Sequence, residues 1–445
     1  MKTIENIPSG LCFPPGIIGD VARFVIAKSP RKHDEFALSA GLAVVSTVTG
    51  RKVIDETGTT GNLYILNLGG TGTGKEKIRV VVKEILQDSG LLSQERFTSD
   101  AGFVGELVDR PSMISLCDEI GSMIEDLNSL RAAPHVKNLA EAMTQAYSAA
   151  GSTWAYKGYA DRSKSQTVVN PNFVLFGSGN YRTFFKALRP EKVTDGFLGR
   201  FTMFMGANGG GHAKKLARLA KDGNNPGKDE FSFMLPVPES ISQFLATWAD
   251  FKTHDGNLES MSPKPHVIGR SQEAAERLQT HFEEIHDRNV EECGTIRGDI
   301  WSRASEKSAK FALLSTLSRS ADRIEIEDAD WAIALSNFLT RRLIKMCTRH
   351  ISESPWDEKR MEILRRIQDH GRPIEHSFLL RAARIKSKEF HEMISNLMEC
   401  GDIVFAVKAT KGRQLTGYAR SESIFEKQGN WKVVTAEEVA AARRK

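Results

Sequence analysis

The segment Gly69-Gly70-Thr71-Gly72-Thr73-Gly74-Lys75 lies between the apolar run Leu63-Tyr64-Ile65-Leu66-Asn67-Leu68 and the amphipathic stretch from Ile78 to Leu86. A short apolar run ending in glycines reads as a buried strand, and the pattern that follows reads as a helix, so the chain must contain a strand–loop–helix unit. Glycines let the backbone wrap closely enough for its N–H groups to face phosphate oxygens, and a lysine at this position reaches the β- and γ-phosphates. The residues expected to hold ATP are therefore Gly70, Thr71, Gly72, Thr73, Gly74, Lys75 and Glu76. An ordinary strand-to-helix turn is the competing reading.

Glu76 occupies the place where a Ser or Thr hydroxyl would meet Mg²⁺. A carboxylate in the first helical turn is favoured by the helix dipole, and it could ligate Mg²⁺ directly or through water. Left without a cation, it would repel a triphosphate and could disable hydrolysis.

Phosphoryl transfer also needs an acidic strand, and Met113-Ile114-Ser115-Leu116-Cys117-Asp118-Glu119 supplies one. Asp118 is expected at Mg²⁺ and Glu119 at the attacking water; an acidic pair opening a helix is the alternative. The next buried run, Asn172 to Asn180, ends in small polar residues, so Asn180 or Ser178 could contact the γ-phosphate or the water. In Asp195-Gly196-Phe197-Leu198-Gly199-Arg200-Phe201, Arg200 suits an arginine finger reaching into a neighbouring subunit's ATP, with Arg189 a lesser candidate and a structural salt bridge the alternative. The stretch from Thr153 to Lys164 interleaves Trp154, Tyr156, Lys157, Arg162 and Lys164. It predicts a hairpin with Lys157-Gly158 at its tip and aromatics on both arms, suited to single-stranded DNA or simply to a stiff surface ribbon.

These motifs sit in a sequence of 445 residues with a hydrophobic fraction of 40% and net charge +5. That is room for several domains and too small a charge to identify a partner. Residues 1–61 form an N-terminal helical segment, with helical runs from Ile17 to Val25 and Glu35 to Thr47; residues 62–206 read as the α/β ATPase core. A flexible basic linker follows at 207–230, then an all-helical lid at 231–352. Residues 353–420 order as three helices and a two-stranded ribbon, a winged helix. Lys386, Lys388 and His391 lie at its recognition helix and Lys408, Lys411 and Arg413 at its wing, all but His391 and Lys408 taken as DNA contacts; the tail at 421–445 reads as loosely held. Five scattered cysteines with no C-x-x-C pair argue against a zinc or disulfide framework, and no leader or spanning segment is evident, so a cytoplasmic protein with no membrane partner is expected.

Taken in order, Phe13-Pro14-Pro15-Gly16, Asn62-Leu63-Tyr64, Gly72 to Glu76, Ser99-Asp100-Ala101-Gly102, Cys117-Asp118-Glu119, Asp195 to Phe201 and Arg303-Ala304-Ser305-Glu306-Lys307 resemble a P-loop ATPase family of phage, plasmid and mobile-element replication proteins. The family is similar to AAA+ ATPases, close to superfamily-three and minichromosome maintenance helicases, and often lies downstream of a primase–polymerase module. The resemblance, over roughly residues 13–345, implies an α/β AAA+-like core and an ATP- and Mg²⁺-dependent DNA helicase or translocase self-associating into a hexameric ring. It implies that Lys157 is the tip of a pore hairpin and Arg303 a second sensor on the ATP phosphates. Priming would fall to a separate primase or polymerase. The alternative expectation is an ATP-gated DNA-binding initiator or regulator with little unwinding.

Overall fold

A computed structural model describes residues 5–70, 72–128, 134–158, 165–187, 196–206, 235–253, 256–257, 264–350, 355–408, 415–421 and 431–434. Two compact units divide the chain, one spanning Ile4–Cys347 and the other lying within Thr348–Lys445.

In the first unit, Pro14-Pro15-Gly16 precedes α1 (Ile17–Lys28), which buries Ile17, Ile18, Val21 and Val25 at helical spacing. Helix α2 (Asp34–Thr49) is buried at every residue from Glu35 onward, which marks a helix enclosed by protein on all sides. The two helices cross where a Cβ at Gly41 would come within 2.3 Å of the Ile18 carbonyl oxygen. Only glycine allows that approach.

The chain continues through β1 (Val53–Asp55), β2 (Tyr64–Gly69), α3 (Lys75–Leu86), α4 (Asp100–Asp109), β3 (Ser112–Ser115), α5 (Ile120–Asn128) and α6 (Pro134–Ser148). It then forms β4 (Thr153–Lys157), β5 (Gln166–Val169), β6 (Asn172–Gly179), α7 (Tyr181–Ala187) and β7 (Phe201–Gly206). Strands β3-β6-β2-β7 make a parallel sheet in that order. Every residue of β2, β6 and β7 is buried, as a parallel sheet covered on both faces requires. The α/β expectation is met. Strand β6 separates β3 from β2, and β4 pairs antiparallel with β5 as a separate hairpin.

The stretch expected to be wholly helical contains strands as well. After β8 (His266–Arg270) come α8 (Gln272–Glu291), α9 (Ala304–Ser318), β9 (Arg323–Ile324) and α10 (Ile326–His350). Strands β1, β8 and β9 form a second parallel sheet. Val267 and Ile268 pair in register with Ile54 and Asp55, a long-range partnership that a five-residue run does not announce by its period. One apolar core runs through α1, α2, the main sheet, α9 and α10.

The second unit contains α11 (Pro355–His370), β10 (Ile374–Glu375), α12 (His376–Ala383), α13 (Ser387–Glu399), β11 (Ile403–Lys408), β12 (Leu415–Arg420) and β13 (Trp431–Val434). The three helices are as expected, but the ribbon is a four-stranded antiparallel sheet in the order β10-β12-β11-β13. Part of the tail expected to be loose is therefore an edge strand. Gly417 makes room for it, since a Cβ there would lie 3.0 Å from the Trp431 ring. Among the described residues no helix is long and apolar enough to cross a membrane.

A buried ion pair fastens the first unit. Arg342 Nη1 lies 2.8 Å from Glu35 Oε2, with both side chains under a tenth exposed. Glu35 also accepts hydrogen bonds from Ile7 N and Met205 N, and Arg342 donates to the Glu5 and Met203 carbonyls. Arg342→Leu should leave Glu35 buried and unpaired and lower unfolding stability by about 3–5 kcal/mol, whereas the double variant Glu35→Gln/Arg342→Leu should lose less. Urea denaturation of the three proteins measures both differences.

His281 on α8 is wholly buried, and neither ring nitrogen has a hydrogen-bond partner. Its nearest carboxylate, Glu284, is 3.9 Å away, too far for a hydrogen bond. Burial pushes its imidazole below the ordinary value of 6.5, with the Glu284 charge opposing. The unfolded chain therefore takes up this proton as pH falls through about 6.5 while the folded chain resists, so stability present above that pH declines below it. Thermal melts from pH 7.5 to 5 should show a shallower decline for His281→Leu than for the wild type.

Candidate functional site

Strands β2, β3, β6 and β7 run parallel, so their carboxyl ends lie along one edge, where open α/β sheets place their ligands. At that edge β2 ends in Gly69 and the glycine-rich turn enters α3. Gly72 and Gly74 have φ of 75° and 86°, left-handed values that suit glycine. Thr73 Oγ1 donates to the Gly70 carbonyl at 3.0 Å, tying the turn to itself. Helix α3 begins at Lys75 with no side-chain cap, leaving first-turn N–H groups available to an anion. Lys75 is only 9% exposed, and no ion pair or hydrogen bond engages its amine among the described residues. Glu76 is exposed beside it. Thr71 lies outside the described residues.

The acidic residues follow β3 at the same edge. Ser178 Oγ, from β6, donates to Asp118 Oδ1 at 2.8 Å, and Glu119 N donates to the same oxygen at 2.9 Å. Arg79 of α3 stands 3.6 Å from the other carboxylate oxygen. Strand β6 thus links the loop strand to Asp118. Glu119 is exposed and holds φ 50°, a left-handed conformation costly for a non-glycine residue. Ser178 is the polar residue that touches Asp118, while Asn180 follows β6 and its carbonyl accepts Phe184 N of α7.

The strap between α1 and α2 also reaches this edge. A Cβ on Gly72 would lie 3.1 Å from Arg31 Nη1, and one on Gly74 would lie 3.4 Å from Arg31 Cβ. His33 neighbours the Thr73 backbone, and burial holds its imidazole below the usual range while that backbone contact opposes the shift. The basic run Arg31-Lys32-His33 after Pro30 was a visible signal, but nothing in the sequence ties it to a loop forty residues on.

Two arginines fall elsewhere. Register pairs Phe201 with Tyr64 and Gly206 with Gly69, so Arg200 sits at the amino edge, about 17 Å of strand away from the loop at ~3.3 Å per residue. Arg303 lies beside it, with its Cγ 3.2 Å from where a Cβ on Gly199 would stand, and it pairs with Glu306 at 2.9 Å. Arg303 thus stands at the edge opposite its own chain's glycine turn, away from where the sensor expectation put it. Arg200 is buried and turned inward, donating to the Gly196 carbonyl at 2.6 Å and Ser148 Oγ at 2.9 Å over the Tyr147 ring. A finger extended toward a neighbour is not the conformation it adopts. Arg189 lies outside the described residues.

The hairpin also differs from expectation. Lys157 pairs with Gln166 at the end of the ladder and is not a tip residue; Trp154 and Tyr156 are on β4, and Tyr159, the aromatic expected on the other arm, lies outside the described residues. Trp154 is buried, its Nε1 donating to Gln145 Oε1 at 3.2 Å, so its ring is not a stacking platform. A register shift between Ala155 and Lys157 lets consecutive side chains turn the same way. Tyr156 OH and Lys157 Nζ both donate to Asp100 Oδ2, at 2.7 and 2.6 Å. Burial raises the Asp100 pKa, but these two hydrogen bonds outweigh it and hold the carboxyl below its ordinary value. Arg162 and Lys164 lie outside the described residues, as do Lys411, Arg413 and the whole 207–230 linker. Lys386 and Lys388 are exposed at the start of α13.

Because Arg200 works as an internal strut, Arg200→Leu should cost the protein about 1–3 kcal/mol of unfolding stability from its lost hydrogen bonds. Urea denaturation at dilute protein concentration reads this, and an unchanged midpoint would return Arg200 to a purely intersubunit role. No protein-family model matches the chain, and no curated protein sequence matches it.

Proposed function

We propose that this chain is a P-loop ATPase of AAA+ type, an ATP-driven motor acting on DNA during replication of a phage or other mobile element. The observation that carries the nucleotide reading is Lys75: a residue only 9% exposed, its amine without a partner among the described residues, behind a glycine turn and an uncapped helix start. A cation with no protein partner beside the N-terminus of a helix, which itself favours negative charge, is answered by a phosphate bound at the turn. Strand β6 inserted between β2 and β3 also supports the additional-strand class of ATPase.

Backbone N–H groups of the glycine turn bind the phosphates, and Lys75 pairs with the β- and γ-oxygens. Among the described residues no group of three carboxylate, histidine or cysteine side chains could hold a metal alone. This fits Mg²⁺, which typically takes one or two carboxylates together with substrate phosphates and water. Asp118 would hold it, with Glu76 as a second oxygen donor; when bound, the ion neutralises charge on the transferring phosphoryl group. Ser178 orients Asp118. The exposed Glu119 accepts the proton of the attacking water.

In a ring, Arg303 would serve a neighbour's nucleotide, since it lies at the edge opposite its own loop. The second unit, three helices with an antiparallel sheet and lysines opening its third helix, supports a winged helix on duplex DNA. One observation favours a second reading, an ATP-gated initiator that does not unwind: Trp154 and Lys157 are engaged inside the fold.

Mg²⁺-dependent ATP hydrolysis and strand displacement on forked DNA test both readings. Wild type should hydrolyse ATP, and Lys75→Ala should fall to background. Lys157→Ala should keep basal turnover and lose unwinding. Turnover without any unwinding selects the initiator, and wild type that neither binds nor hydrolyses ATP removes both.

A further inference from the structure

We propose that Arg31 is a phosphate-binding residue of the glycine-rich turn, delivered by the strap 29–33 between α1 and α2. The inference rests on the nucleotide reading above and deepens it: the site would draw on two cations from distant parts of the chain.

The strap is extended at both ends. Ser29 has φ −104° and ψ 125°, and His33 has φ −134° and ψ 96°. Pro30 interrupts any continuation of α1. The strap is also tied down. Lys28 pairs with Glu84 of α3, and two residues past His33 the Glu35 carboxylate pairs with Arg342. Arg31 is therefore carried to the turn by a segment anchored on either side.

Its side chain runs along the glycines. The Nη1 atom is 3.1 Å from a Cβ placed on Gly72, while Cβ and Cδ are 3.4 and 3.7 Å from one on Gly74. Larger residues at Gly72 or Gly74 would crowd it. Among the described residues its guanidinium has no ion pair and no hydrogen bond. His33 Nε2 and Ser29 Oγ, on the same strap, are likewise buried without partners. Lys75 follows Gly74 directly and is equally unpaired. Two cations converging on one turn, with no carboxylate paired to either, repel each other until an anion lies between them.

The ligand chemistry follows. A nucleoside triphosphate carries more charge than Lys75 alone can answer, and exposed Glu76 opposes its approach. A guanidinium adds planar donors matched to phosphate oxygens.

The experiment is titration calorimetry of wild type, Arg31→Ala, Arg31→Lys and Lys75→Ala with two probes, ATP and inorganic tripolyphosphate, alongside thermal melts without ligand. Arg31→Ala should weaken both probes about tenfold or more, as loss of a charge-assisted hydrogen bond does. Arg31→Lys should lie between it and wild type, and the ligand-free melting midpoints should agree. Wild-type affinity in Arg31→Ala, or a loss for ATP with none for tripolyphosphate, overturns the assignment. So does a fall in the ligand-free midpoint that Arg31→Lys shares, which makes Arg31 structural. Wild type that binds neither probe overturns the nucleotide reading itself, which Lys75→Ala tests independently of Arg31.

Discussion

The Glu35–Arg342 pair joins parts of the first unit that are far apart in sequence. Glu35 opens the buried helix α2, Arg342 comes from α10, and their remaining hydrogen bonds go to residues 5 and 7 and to Met203 and Met205 in β7. A carboxylate and a guanidinium withdrawn from water each need nearly all their hydrogen-bonding positions filled, so the leading chain, the edge strand and α10 must arrive together. Strand β7 pairs with β2, whose last residue begins the glycine turn. The pair thus helps set the position of the turn from the side opposite Asp118. It also holds the start of α2, and so the end of the strap that brings Arg31 and His33 to the glycines.

Sheet polarity does the rest of the positioning. Parallel strands collect the glycine turn, Ser178 and the Asp118-Glu119 pair along one edge, while the same register collects Arg200, Arg303, Tyr147 and Glu306 near the other. The second group makes most of its polar contacts within the protein, around the one carboxylate of Glu306. Arg303 pairs with Glu306, and Lys310 is bonded to Asn62 and to Thr60. Burial lowers the pKa of both Lys307 and Lys310 to about 8, with Glu306 opposing. The first group lacks such closure at Lys75 and Arg31. That asymmetry supports the proposal that Lys75 and Arg31 face a ligand.

Much of this was legible in the chain because it depends on local pattern. Apolar runs before Gly69, Asp118 and Asn180 are strands or continue into them, and the helical periods around Ile17 and Phe36 are helices. What stayed hidden depends on pairing across distance. Nothing local shows that β6 enters between β2 and β3, that Val267 and Ile268 join Ile54 and Asp55, or that Trp431 adds an edge strand beside β11. The errors at Arg303 and Lys157 share that origin. Arg303 immediately precedes α9, as the resemblance implies for a sensor, yet its neighbours put it at the edge opposite the glycine turn. Lys157 looked like a tip because Gly158 follows it, whereas a bulge turns it toward Asp100.

The internal engagement of Lys157 bears on the proposed motor, which would have to couple ATP at the turn to DNA at the hairpin. Asp100 lies in the first turn of α4, with Ser99 as the N-cap, and holds both Tyr156 and Lys157. Burial and this hydrogen bond push the Tyr156 hydroxyl up to about 12, so it remains a donor throughout the neutral range. The Lys157 side chain is more than a third exposed, and an ion pair at that exposure contributes about 1 kcal/mol or less. Phosphate oxygens of a nucleic acid could therefore exchange with Asp100 at small cost. Trp154 is different, because its ring is buried and bonded to α6. Any movement of the hairpin toward DNA must accordingly pivot on Trp154 and leave its packing intact, while Lys157 changes partner.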